Sequence, residues 1–216
     1  QEHLAAAALN RRLIDAAADV GADAVKFQTW QTDLICAPGS RGAEYQRSDD
    51  QYALLKQLEM PLSWHPELRD HAVGRGIDFL STPDELQSAR YLVALGVPAL
   101  KVGSAELRNI GHVRAIGAFG LPVILSSGMA TLADVERAVA AVTESGTDVA
   151  VLHCVSAYPA PADEMNLLAI RTLAERLDVE VGFSDHSQGN VAAVTAVGIG
   201  ISILEKHITL DGRLAG

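Results

Sequence analysis

The sequence predicts an α/β protein folded as a (β/α)8 TIM barrel, and three observations predict it. Short apolar, β-branched runs alternate with helix-period segments along the chain, which is how a parallel sheet of βα units reads. Each run is apolar at its start and polar at its end. These polar ends follow every strand instead of gathering at one switch point, as a closed barrel requires and an open doubly wound sheet does not.

The elements follow in order. A helix over residues 4–20 opens the chain, and a strand over residues 24–28 comes next. Residues 35–50, rich in Gly, Ser and charge, read as a long βα loop over the mouth. Further strands are predicted over residues 79–83, 99–104, 122–129, 149–156, 179–186 and 201–209. Helices lie between them, among them residues 132–144, with Thr131 as the expected N-cap, and residues 165–177. Seven strands are one short of closure. We expect the first strand, and the region after residue 216, to belong to a longer protein, so that residues 1–216 form an incomplete TIM-barrel catalytic domain.

Composition narrows the function. The chain has 216 residues, of which 49% are hydrophobic and 20% charged, enough for one large core. Its net charge of -10 argues against nucleic acid or an anionic membrane as partner, since both want a basic patch. Any anionic ligand therefore needs a local cluster of donors. Cys36 and Cys154 are the two cysteines, too few and too far apart for a disulfide framework, which fits a reducing cytoplasm. No apolar run approaches the roughly 18 residues of a membrane span.

The chemistry lies at the strand ends. Lys26 and Gln28 close the first visible strand on one face, because strand side chains alternate. Ser81 and Thr82 close the second, Lys101 and Ser104 the third with Glu106 just beyond, Ser126 and Ser127 the fourth, Ser156 the fifth and Ser184 the sixth. Lysines with hydroxyls and loop amides make a cradle for phosphate or carboxylate. Lys26, between Val25 and Phe27, is costly to bury unless an anion meets it. The runs Ser184-Asp185-His186 and Glu205-Lys206-His207 end adjacent strands, and their two imidazoles could hold a divalent metal with Asp185 or Glu205 as carboxylate partner. His153, set among core residues, reads as structural, and Met129 reads as a cap on the barrel interior.

Seven ordered strings carry a resemblance: Ala24-Val25-Lys26-Phe27-Gln28, Ser81-Thr82-Pro83, Lys101-Val102-Gly103-Ser104, Ile124-Leu125-Ser126-Ser127-Gly128-Met129, His153-Cys154-Val155-Ser156-Ala157-Tyr158-Pro159, Ser184-Asp185-His186 and Glu205-Lys206-His207. Together they resemble the sialic acid synthase family, which includes N-acetylneuraminate, legionaminate and pseudaminate synthases and spore-coat polysaccharide enzymes. The resemblance implies a metal-dependent condensation of phosphoenolpyruvate with an N-acylated amino sugar such as N-acetylmannosamine, giving a nine-carbon 2-keto sugar acid and phosphate.

Carried over by motif, Lys26, Thr82, Lys101, Ser104, Ser126, Ser156 and Ser184 would surround phosphoenolpyruvate, while Gln28, Glu106 and Tyr158 would face the sugar. Lys26, Lys101 and Glu106 would be the catalytic residues. His186 and His207 would bind the metal, Mn2+ first, with Mg2+ or Co2+ as alternatives. Ser156 stands where many members carry asparagine. The resemblance further implies a carboxyl-terminal antifreeze-like domain beyond this sequence and a domain-swapped homodimer of the full-length protein. Two other readings stay open: a Schiff-base aldolase using Lys101 or Lys206, and a catalytically inactive sugar-binding barrel.

Overall fold

In a computed structural model of the protein, the residues described are 2–42 and 49–212, with side chains from residue 7 onward. The chain divides into two compact units, one of Gln1–Pro98 with Ile208–Gly216 and one of Ala99–His207.

In the first unit two strands, β1 (Ala24–Thr29) and β2 (Asp78–Pro83), run parallel. Helices α1 (Glu2–Asp19), α2 (Thr32–Ile35), α3 (Gln51–Leu58), α4 (His65–Gly74) and α5 (Leu86–Leu95) accompany them. Pairing sets Gln28 opposite Thr82 and Phe27 opposite Ser81. Adjacent residues on a strand point to opposite faces, so Lys26, Gln28 and Thr82 share one side. Val25, Phe79, Thr29 and Ser81 share the other, and all four are buried. Of the loop expected over residues 35–50, residues 43–48 lie outside the described residues, and Arg41 and Asp50 form an antiparallel bridge.

In the second unit five parallel strands stand in chain order: β3 (Leu100–Val102), β4 (Val123–Ser126), β5 (Val149–Cys154), β6 (Glu180–Asp185) and β7 (Leu204–Lys206). Each crossover leads to the next neighbour, the winding of a barrel wall and not of a doubly wound sheet. The connecting helices are α6 (Ile110–Gly117), α7 (Leu132–Thr143), α8 (Ala169–Arg176) and α9 (Val191–Ile199). One face of the sheet is core: Leu100, Val102, Val123, Leu125, Val151, Val181 and Phe183 are all buried. His153 belongs to that face, its Nε2–H donating to the Met165 carbonyl oxygen at 2.8 Å and its ring stacking on Phe183 at 6.0 Å between centroids, which matches its structural reading.

Thr131 caps α7 as expected, in a full capping box: its hydroxyl accepts from the Asp134 N–H, and the Asp134 carboxylate accepts from the Thr131 N–H. Three expectations are modified. The helix read from residue 165 starts at Ala169, after a 3-10 turn at Ala162–Glu164. The strand read over residues 201–209 keeps ladder geometry only at Leu204–Lys206, because it is a sheet edge with a neighbour on one side. The parallel α/β class holds, but the described residues form seven strands in sheets of two and five, not eight in one closed ring. Among the described residues no helix is long and apolar enough to cross a membrane.

Candidate active site

The register of the second unit gathers polar side chains on the sheet face opposite its core. Ser126 lies opposite Leu152, Cys154 opposite Ser184, and Ser184 opposite Glu205. With Lys101, two residues along from the level of Ser126, these groups face the same way. Lys101, Ser126, Cys154 and Ser184 are each at most 5% exposed. The Lys101 ammonium donates to Ser126 Oγ at 2.5 Å and to the Val102 carbonyl at 3.0 Å. A buried cation tethered to a hydroxyl is an anchor for an anionic ligand.

Beyond the strand ends, Gly128 forms a small cradle. A Cβ there would come within 2.7 Å of Ser104 Oγ, within 2.9 Å of Cys154 Sγ and closer still to Ser156 Oγ, so only glycine leaves that space open. Ser104 Oγ and the Gly128 N–H each lie 3.2 Å from Cys154 Sγ. Glu106 folds back toward Gly103, where a Cβ would meet its Oε2 at 2.8 Å. Burial pushes the Glu106 carboxyl up, and the Lys101 charge offsets only part of that rise. Lys101, Ser104, Ser126, Ser156 and Glu106 thus belong to one region of the second unit.

The two expected metal ligands also meet. The rings of His186 and His207 are 5.3 Å apart between centroids, and Tyr158 packs on both, at 4.3 Å and 5.8 Å. They line a cavity of about 250 Å³ with Pro159, Asp185, Ser187 and Lys206. His186 Nδ1 lies 2.7 Å from the Val155 carbonyl. A carbonyl only accepts, so Nδ1 carries the proton and the Nε2 lone pair faces outward from that bond. Nε2 is 3.3 Å from Ser184 Oγ, whose single proton goes to Glu205 Oε1 at 2.7 Å. The tautomer therefore suits a cation at Nε2. Among the described residues no group of three His, Cys, Asp or Glu side chains is placed to hold a metal. The imidazole pair could supply two nitrogen ligands to a divalent ion, which would need further oxygen ligands from outside these side chains.

Asp185 and Lys206, opposite each other across β6 and β7, form an ion pair of 2.7 Å with the Asp185 side chain fully buried. Burial pushes the Asp185 carboxyl up, but Lys206 and the Ser187 donors outweigh it and leave it below the usual carboxylate value. This pair pins the register that sets His186 beside His207.

In the first unit, Lys26 Nζ donates to Thr82 Oγ1 at 3.3 Å, with Lys26 half-buried, Thr82 buried and Gln28 exposed. Ser81 takes the opposite side: Thr29 Oγ1 lies 2.7 Å from both Ser81 Oγ and His65 Nε2. Sequence reasoning grouped Ser81 with Thr82, but alternation sends it into packing. It also took Met129 for an interior cap, whereas Met129 is 60% exposed, on a left-handed turn with φ of 59°. Cys154 is the residue it missed. Its place after the apolar run of residues 149–152 looks like core, and its even spacing from Ser156 was the signal that it shares the site face.

Fold and face together define an α/β protein whose parallel strands present a lysine, hydroxyls and an imidazole pair at their carboxyl ends. Residues 13–216 match the NeuB family, and the chain belongs to it. It is 40% identical to the N,N'-diacetyllegionaminic acid synthase of Legionella pneumophila, over 96% of this chain and 61% of that protein. It is 37% identical to the N,N'-diacetyllegionaminic acid synthase of Campylobacter jejuni, over 96% of this chain and 65% of that one. Among solved structures it resembles the N-acetylneuraminic acid synthetase of Leptospira borgpetersenii in complex with citrate. That likeness has a TM-score of 0.86 and 34% identity, over 95% of this chain and 69% of that chain. The chain spans about three fifths of the length of these curated relatives.

Proposed function

We propose that residues 1–216 are part of a (β/α)8 catalytic domain that condenses phosphoenolpyruvate with the open-chain aldehyde of an N-acylated amino sugar. The products would be a nine-carbon 2-keto sugar acid and inorganic phosphate. The observation that carries this reading is the buried Lys101 tied to Ser126 beside the Gly128 cradle, on the same sheet face as the imidazole pair. One end suits an anion and the other a cation, as joining an enol phosphate to a carbonyl demands.

In this reading Lys26, Thr82, Lys101, Ser104, Ser126, Ser156 and Ser184 bind phosphoenolpyruvate, and their charge and hydroxyl donors balance its phosphate and carboxylate. Ser184 is the outlying member, since its proton is engaged by Glu205. Gln28, Glu106 and Tyr158 would face the sugar. C3 of phosphoenolpyruvate bonds to the aldehyde carbon, and the aldehyde oxygen takes a proton. Water then adds at C2, and phosphate leaves with its bridging oxygen as the C2–O bond breaks. Glu106, with its carboxyl pushed up by burial, would be the group that holds or releases a proton at the sugar end. His186 and His207 would hold a divalent ion, Mn2+ first and Mg2+ or Co2+ otherwise, which when bound polarises the aldehyde oxygen.

The Schiff-base alternative is less well supported, because Lys206 is ion-paired with Asp185 and Lys101 donates to a carbonyl and a hydroxyl. We place the full-length protein in the cytoplasm, in keeping with the unbridged thiols of Cys36 and Cys154, and infer a homodimer from the family resemblance alone. The deciding experiment measures phosphate release from phosphoenolpyruvate by the full-length protein across a panel of N-acyl amino sugars, with and without Mn2+. Release that needs both sugar and metal is expected. Turnover that survives EDTA and is trapped by borohydride would establish the aldolase reading instead, and no turnover with any sugar would leave the inactive barrel.

A further inference from the structure

Cys154 is 5% exposed, yet it touches two walls of the Gly128 cradle at once. The Gly128 N–H points at its sulfur from 3.2 Å, and Ser104 Oγ lies 3.2 Å from the same atom. A serine hydroxyl has one proton to give. If Ser104 spends it on sulfur, its lone pairs face the cradle and repel an anion. If the thiol gives its S–H to Ser104 Oγ, the serine proton is left for the ligand.

We propose that Cys154 is a positioning residue that turns the Ser104 hydroxyl into a donor aimed at the anion in the cradle. With the Gly128 N–H on one sulfur lone pair and the S–H left to give, the thiol can complete a chain in one direction: N–H to Sγ, S–H to Oγ, O–H to the anion. Each donor in such a chain polarises the next, and the negative charge at its end favours this direction over the reverse. Gly128 and Cys154 are buried, which keeps water from replacing the first link. This inference rests on the reading of the cradle as a seat for phosphoenolpyruvate.

The two hydroxyl directions predict opposite signs, which makes the test sharp. Phosphoenolpyruvate binding to the full-length protein is measured by calorimetry for the wild type, Cys154→Ala, Cys154→Val, Cys154→Ser and Ser104→Ala. Loss of one such hydrogen bond corresponds to roughly fivefold in affinity, so Cys154→Ala and Cys154→Val should each bind about fivefold more weakly. Valine fills the thiol's space without hydrogen bonding and serves if the alanine variant folds poorly. Cys154→Ser can accept from Gly128 and donate to Ser104, and it should recover most of the loss, though its shorter bond to Cβ recesses the oxygen. In a Ser104→Ala background the cysteine substitutions should change affinity less than twofold, a silence that general disruption of packing would not produce. Cys154→Val binding as tightly as the wild type, or more tightly, while Ser104→Ala binds weakly would overturn the relay and leave the cradle standing. A wild type that does not bind phosphoenolpyruvate would take down the cradle reading and this inference together.

Discussion

Lys101 shows how a single buried charge can reveal a site. At 4% exposure its ammonium is held by Ser126 and a carbonyl and feels the Glu106 carboxyl, and a buried ammonium marks a place where negative charge is gathered. Lys101→Met keeps the methylene stem and removes the charge. We expect KM for phosphoenolpyruvate to rise roughly 10- to 100-fold, the scale of one charge-assisted hydrogen bond at about 1.5–3 kcal/mol, with the melting temperature maintained. An unchanged KM in steady-state assays would remove Lys101 from the site. Glu106 supplies a second residue-scale prediction. Since burial raises its carboxyl, the acid limb of the pH–rate profile should lie above that of an ordinary glutamate, and Glu106→Gln should abolish that limb. A limb that persists unchanged in the glutamine variant would assign it to another group.

At the scale of elements, strand ends and helix starts do separate work. The α7 capping box satisfies donors that the first turn leaves over, and the backbone N–H of Thr131, with further bonds from its hydroxyl and from Arg137, holds the Asp134 carboxyl down at about 2. Thr131→Ala should therefore cost about 1 kcal/mol in chemical denaturation and leave phosphoenolpyruvate binding untouched, because the cap belongs to the scaffold. A variant as stable as the wild type would show the box to be dispensable. The site, by contrast, begins where the ladders stop. Strand pairing ends at Val102, Ser126 and Cys154, and the polar residues just beyond leave the sheet to form the cradle.

Across the whole molecule, two buried histidines should make stability depend on pH. Burial lowers both His65 and His153, with nearby carbonyls offsetting part of the shift. The folded form therefore binds fewer protons than the unfolded chain, whose histidines titrate near roughly 6.5. Their contribution is complete above that pH and is lost as the pH falls through the lowered folded values. Glu106, raised by burial, acts in the opposite direction, so the comparison is made variant by variant. His153→Gln should flatten the loss of melting temperature between pH 7.5 and pH 5 on the order of its share of that linkage, and an identical slope in the variant would show that His153 does not carry it.

The sequence by itself determined the order of the strands and which polar residues stand at their ends. Alternating apolar runs with polar tails placed all seven strands, because burial on a parallel sheet demands that pattern wherever it forms. The motifs ending in His186 and His207 were legible as neighbours at the ends of adjacent strands for the same reason. Tertiary structure alone decided which group serves which. Register across neighbouring strands sent Ser81 into packing with Thr29 and His65, gave the proton of Ser184 to Glu205, and turned Cys154 toward Ser104 and Gly128. A hydroxyl or thiol has the same sequence signature on either face of a sheet, and only the pairing of distant segments fixes the partner its proton finds.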